Sequence, residues 1–124
     1  MNLTFRTDYP LYLQLVEHMK KAIVAETYGA GERLPSIREM AAQFEVTPNT
    51  VQRALQILEN EELIYTERTT GKFVTKDKER LIALRKETLT GRIRSMIAEL
   101  KMHGYSEGEI MDSVRKELKE YDGE

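Results

Sequence analysis

The segment Glu45–Leu55, EVTPNTVQRAL, carries the side chains with the most pointed chemistry in this chain. At helical spacing Asn49, Gln52, Arg53 and Gln56 share one face, opposite Val51, Ala54 and Leu58. Asparagine and glutamine amides pair in bidentate fashion with adenine, and an arginine fork pairs with guanine. Between Val46 and Leu58 there is one charge, Arg53, and no acid, in a chain with 21 Asp and Glu. The acids resume at Glu59, Glu61 and Glu62. A face of this kind fits base edges in a DNA major groove. Thr47, Thr50 and the free N–H groups of the first helical turn fit phosphate oxygens. The bland alternative is a solvated polar face with one arginine. The elements around it weigh between the two.

Those elements can be read from spacing. Thr47 is an N-cap type and Pro48 stands at the first helical position, where its missing N–H costs nothing. Upstream, Ser36-Ile37-Arg38-Glu39 has the form of a capping box and opens a short helix with Ile37, Met40, Ala41 and Phe44 on its apolar side. Two helices joined by about three residues make a helix-turn-helix. An earlier helix after Pro10 places Tyr12, Leu15, Val16, Met19 and Ile23 on one face, and Gly29, Gly31 and Pro35 are expected to stop it. After Glu62 the β-prone runs LIYT and KFVT flank ERTTG, where Gly71 can take a positive φ. Three helices followed by a hairpin predict a winged helix-turn-helix, mainly α with a small β-hairpin. Arg38 would touch the DNA backbone from the first turn of its helix, or else be solvated or ion-paired. Arg68, Thr69, Thr70, Gly71 and Lys72 form either a wing tip that follows phosphates or an ordinary exposed turn.

Beyond Asp77 the pattern returns to helix. Leu89, Ile93, Met96, Ile97 and Leu100 form one stripe, closed by His103-Gly104. A second capping box, Ser106-Glu107-Gly108-Glu109, opens a last helix bearing Ile110, Val114, Leu118 and Tyr121. These two stripes are more than a lone helical hairpin buries. A second copy of the chain would cover them in a two-fold dimer, and folding back onto the winged helix is the other option. The expected division is therefore a winged helix-turn-helix over residues 9–76 and a two-helix dimerisation tail over residues 77–124.

Composition excludes several classes. With 40% hydrophobic and 32% charged residues, the 124-residue chain has an ordinary globular profile. There is no cysteine, which rules out disulfide frameworks and thiolate metal sites. No leader pattern opens MNLTFRTDYPLY, and no apolar run approaches a membrane span, so a cytoplasmic location is expected. Net charge is −2, with 10 basic and 11 acidic residues in 1–78 and 9 and 10 in 79–124. Positive charge for a nucleic-acid partner must therefore be placed locally. His18 and His103 lie far apart and read as structural or solvated. Glu107, Glu109 and Asp112 signal capping more than a cation site. No Ser/His/Asp set or phosphate-binding loop occurs, so no enzyme, metal or cofactor is expected.

At this point the sequence resembles the GntR family of bacterial regulators. The likeness rests on PLYLQL, on GERLPSIREMAAQFEVTPNTVQRALQILENEELI and on GKFV, in order and at the family's spacing, over roughly residues 9–75. The short all-helical tail resembles the YtrA-type subfamily, whose members lack a large effector domain and dimerise through two helices. The resemblance places Arg38, Thr47, Asn49, Thr50, Arg53 and the wing near Gly71 at DNA-contacting positions. It implies a homodimeric repressor on an inverted-repeat operator, often of a transporter operon. Glu45 and Thr69 stand where the family usually has glycine. Gln52 occupies a variable base-facing position. The expected DNA-facing set is Ser36, Arg38, Thr47, Pro48, Asn49, Thr50, Gln52 and Arg53, with Arg68, Thr69, Thr70, Gly71 and Lys72 on the wing. The competing class is a winged helix that binds another protein without reading DNA. A small-molecule effector is neither supported nor excluded.

Overall fold

In the computed structural model, which describes residues 5–122, helix α1 spans Leu11–Val24 and buries Leu15, Val16, Met19, Ala22 and Ile23. It ends before either glycine predicted to stop it. Glu26 takes a left-handed φ of 61°, and Thr27 N–H closes the turn on the Ala22 carbonyl at 2.8 Å. Helix α2 (Ile37–Phe44) and helix α3 (Pro48–Asn60) follow, separated by residues 45–47. Strands β1 (Ile64–Glu67) and β2 (Gly71–Val74) pair antiparallel, with Ile64 opposite Val74 and Glu67 opposite Gly71. Three helices and a hairpin are the expected winged helix-turn-helix.

The core draws one face from each element. Leu15 and Met19 of α1, Met40 and Phe44 of α2, and Val51, Leu55 and Leu58 of α3 meet Leu63, Ile64 and Val74 of the hairpin. Burying a side chain of this size contributes about 1.5–3 kcal/mol, so the three helices and the hairpin are held together mainly by this shared apolar core. His18 is half-buried edge-on to Phe44, with ring centroids 5.2 Å apart. It is structural, as expected.

The segment 31–34, read from sequence as a turn, adds to the sheet. Gly31 N–H donates to the Val74 carbonyl at 2.9 Å, Val74 N–H to Glu32 at 2.9 Å, and Leu34 N–H to Lys72 at 2.8 Å. Arg33 faces Phe73 across an antiparallel bridge. The wing thus has a short third edge.

Helix α4 runs from Lys78 to Met102, its first turn capped by the Asp77 carboxylate, which accepts from Glu79 N–H at 3.0 Å and Arg80 N–H at 3.2 Å. By packing, the chain divides after Lys86, inside this helix, into two compact units. Leu84 is buried in the first unit's core and Leu81 packs against it. The first turns of α4 therefore belong with the winged helix. In the second unit, Gly104 takes φ 91° and Tyr105 N–H returns to the Leu100 carbonyl at 3.1 Å. Ser106 and Glu109 then form the expected capping box of helix α5, Glu107–Glu120.

Candidate nucleic-acid interface

The first contact element is the start of α2. Ser36 Oγ accepts from Glu39 N–H at 3.1 Å, and the Glu39 carboxylate accepts from Ser36 N–H at 2.7 Å. Glu39 is thereby held below the usual carboxylate range, first by the Ser36 backbone bond, then by its hydroxyl, with Arg33 adding attraction. Ser36 is thus committed to the cap, although it is exposed. Arg38 is exposed in the first turn and makes no ion pair among the described residues.

The turn that aims α3 is sharp. Glu45, where the family usually has glycine, sits in the left-handed region at φ 56° and ψ 47°, and its N–H closes on the Ala41 carbonyl. Such a conformation costs a side-chain-bearing residue about 1–2 kcal/mol. Thr47 then caps α3: its Oγ1 accepts from Thr50 N–H at 3.2 Å and lies 3.0 Å from Thr50 Oγ1. Pro48 occupies the first turn. The two threonines lock the helix tip, and no acid stands in its first turn.

Along α3, Asn49, Gln52, Arg53 and Gln56 are all exposed, while Val51, Ala54, Leu55 and Leu58 are buried. The face read from the sequence is therefore intact. Two of its members are engaged sideways. The Gln56 amide donates to Asn60 Oδ1 at 3.0 Å. The Arg53 guanidinium lies over the Tyr12 ring, 3.8 Å from its centroid. Tyr12, assigned from spacing to the apolar stripe of α1, is half-buried and acts as a platform that restricts where Arg53 can reach.

The wing differs from expectation in where its charge lies. Arg68, Thr69 and Thr70 form the exposed tip, closed by Thr70 N–H on the Glu67 carbonyl at 3.2 Å. Gly71 takes φ 125°, as its position required. Lys72 does not extend from the tip. Its ammonium meets Glu59 Oε1 at 3.1 Å and Thr66 Oγ1 at 2.7 Å, and the Thr66 hydroxyl donates to the same carboxylate. Glu59 thus offsets the charge of Lys72. Sequence reasoning missed Tyr12, Glu59 and Arg33 as neighbours of the site. The Arg53 and Lys72 partners lie in other elements, so no local spacing announced them.

Among the described residues, no group of three His, Asp or Glu side chains could hold a metal ion. No helix there is long and apolar enough to cross a membrane.

A capped helix, a three-residue turn, an exposed polar helix and a β-hairpin define the winged helix-turn-helix of transcription regulators. Residues 11–74 match the family described as bacterial regulatory proteins, gntR family, and the chain belongs to it. It is similar to the HTH-type transcriptional regulator YhcF of Bacillus subtilis (strain 168), at 28% identity over 93% of this chain and 95% of that protein. It is 28% identical to the HTH-type transcriptional repressor YtrA of the same organism, over 93% of this chain and 86% of that one. A GntR family transcriptional regulator from Listeria monocytogenes has a similar structure, with TM-score 0.84 and 39% identity, covering 90% of this chain and 98% of that chain. The chain is accordingly a DNA-binding transcription regulator with a YtrA-like architecture.

Proposed function

We propose that the chain represses transcription as a homodimer bound to an inverted-repeat operator. The observation that carries this reading is the exposed, acid-free face of α3 above a tip locked by Thr47 and Thr50. Asn49, Gln52 and Arg53 read base edges in the major groove. Arg38, Thr47 and Thr50 set the position on phosphates. The residues of the wing tip add backbone contacts.

The tail supports the dimer. Leu89, Ile93, Met96, Ile97 and Leu118 are exposed in the single chain, and Leu89 and Leu118 are 61% and 73% accessible. An apolar set of this kind is covered when two copies associate about a two-fold axis. That symmetry presents two recognition helices to successive major grooves, about 34 Å apart.

Selection of sites from a random duplex library by the purified protein, at physiological salt, tests the reading. The expected product is an inverted repeat with half-sites about one helical turn apart. No enrichment by protein shown to be folded and dimeric would sink it, and would favour a module that docks another protein.

A further inference from the structure

We infer that Arg33, on the third edge of the wing, binds a DNA phosphate and gives the hairpin the cationic contact that Lys72 does not supply. The inference rests on the DNA-binding reading above. Lys72 is the cation nearest the tip in β2, yet it is held by Glu59 and Thr66. Arg33 is exposed, and makes no ion pair among the described residues.

Its position is fixed by backbone. The bonds of Glu32 and Leu34 to Val74 and Lys72 clamp residue 33 opposite Phe73. Its diagonal neighbour on the same sheet face is Gly71, two residues before Phe73. The Arg33 guanidinium lies against that glycine: a Cβ built on Gly71 would stand 3.2 Å from Arg33 Nε and 3.6 Å from Nη2. Glycine at 71 thus serves two ends. It allows the φ of 125° that ends the tip, and it leaves the space beside residue 71 that the guanidinium occupies.

Two acids sit near this space. Glu39 of α2 feels Arg33, whose attraction helps to hold its carboxyl down. Glu67 faces Gly71 across the hairpin and accepts from the Thr70 hydroxyl at 3.2 Å. Neither forms an ion pair with Arg33, so the fork keeps its donors for an anion. The guanidinium thus touches the wing at Gly71 and lies within electrostatic reach of Glu39 in the first turn of α2. A phosphate spanning the two contact elements would meet it there. Arginine suits this role through its planar set of five donors.

The test is binding of Arg33→Ala and Arg33→Lys to the selected operator and to random duplex, across a salt series. The expected result for Arg33→Ala is an affinity loss of about tenfold on both duplexes, with a log–log salt slope shallower by about 0.9. Arg33→Lys should recover most of the slope, and Lys72→Ala should leave it unchanged. Unaltered slope and affinity in Arg33→Ala, with the unaltered protein binding its operator, would overturn the inference. A lowered melting temperature with the slope retained would overturn it equally, by making Arg33 a packing residue of the wing. Absence of duplex binding by the unaltered protein would instead overturn the DNA-binding reading, and this inference with it.

Discussion

Up to Lys86, sixteen apolar side chains close into one buried cluster, whereas from Glu87 onward Ile110 alone is buried among the described residues. Each region contains a helix opened by a full capping box. Ser36–Glu39 and Ser106–Glu109 are the same device, with bonds of 2.7–3.1 Å in both. Local helix formation is therefore not what separates them. The separation lies in partners: the winged helix brings four apolar faces together within one chain, and the tail has two stripes with little to cover them. A closed core shows itself in stability. An uncovered stripe shows itself in association.

The largest effect that would break this comparison is a matched pair of truncations. Leu58 is 0% accessible and Leu118 is 73% accessible. Leu58→Ala should cost about 3 kcal/mol of unfolding free energy in urea titration. Leu118→Ala, at dilution where the chain is monomeric, should cost under about 0.5 kcal/mol, as surface changes do. Equal costs would mean that the tail residue is packed within the single chain after all.

Recognition should depend on the closed unit's fixed side chains. Arg53→Ala is expected to lower discrimination at one base pair by about 1–3 kcal/mol, measured by competition between the operator and a single-site variant. Equal loss on random DNA would contradict base reading. Tyr12→Leu, which keeps the apolar body but removes the ring under the guanidinium, should move discrimination the same way by a smaller amount, about 0.5–1 kcal/mol.

Strain offers a lever of similar size. Glu45→Gly should stabilise the winged helix by about 1 kcal/mol, since glycine takes φ 56° without the side-chain penalty. No gain in melting temperature would show that the turn holds Glu45 by other contacts. The smallest expected effect concerns His18. Burial, and then Lys21, push its pKa below the ordinary 6.5. The unfolded chain therefore takes up the proton first. The contribution of neutral His18 is complete above about pH 6.5 and is lost as pH falls through and below that value. His18→Gln should flatten that part of the stability profile, and a profile unchanged by the substitution would remove His18 as its source.

Much of the fold was legible because its signals are local. Ser36 and Glu39 are three residues apart, Thr47 precedes Pro48, and Gly71 sits where a hairpin needs positive φ. Glu45 stood out as a residue in a glycine's place, and it is left-handed. The misses are long-range or hidden by mixed patterns. Residues 31–34 lie between glycine and proline and show no strand alternation, so their pairing with β2 gave no signal. Leu81 and Leu84 share a helix with Leu89 and Ile93 but serve a different unit, which blurs any single stripe along α4. In the site, polar residue types at helical spacing revealed the face of α3. The pairing of Lys72 with Glu59 and of Arg53 with Tyr12 depends on how elements pack, which no count of residues along the chain provides.

The pairing of Glu59 with Lys72 has a consequence for search in a genome. A regulator meets an enormous excess of ordinary sequence, and each cation free to touch the backbone raises its residence on all of it alike. On the reading proposed above, Glu59 offsets the charge of one wing lysine and would lower this general residence. Occupancy of the operator then depends more on sequence and less on charge.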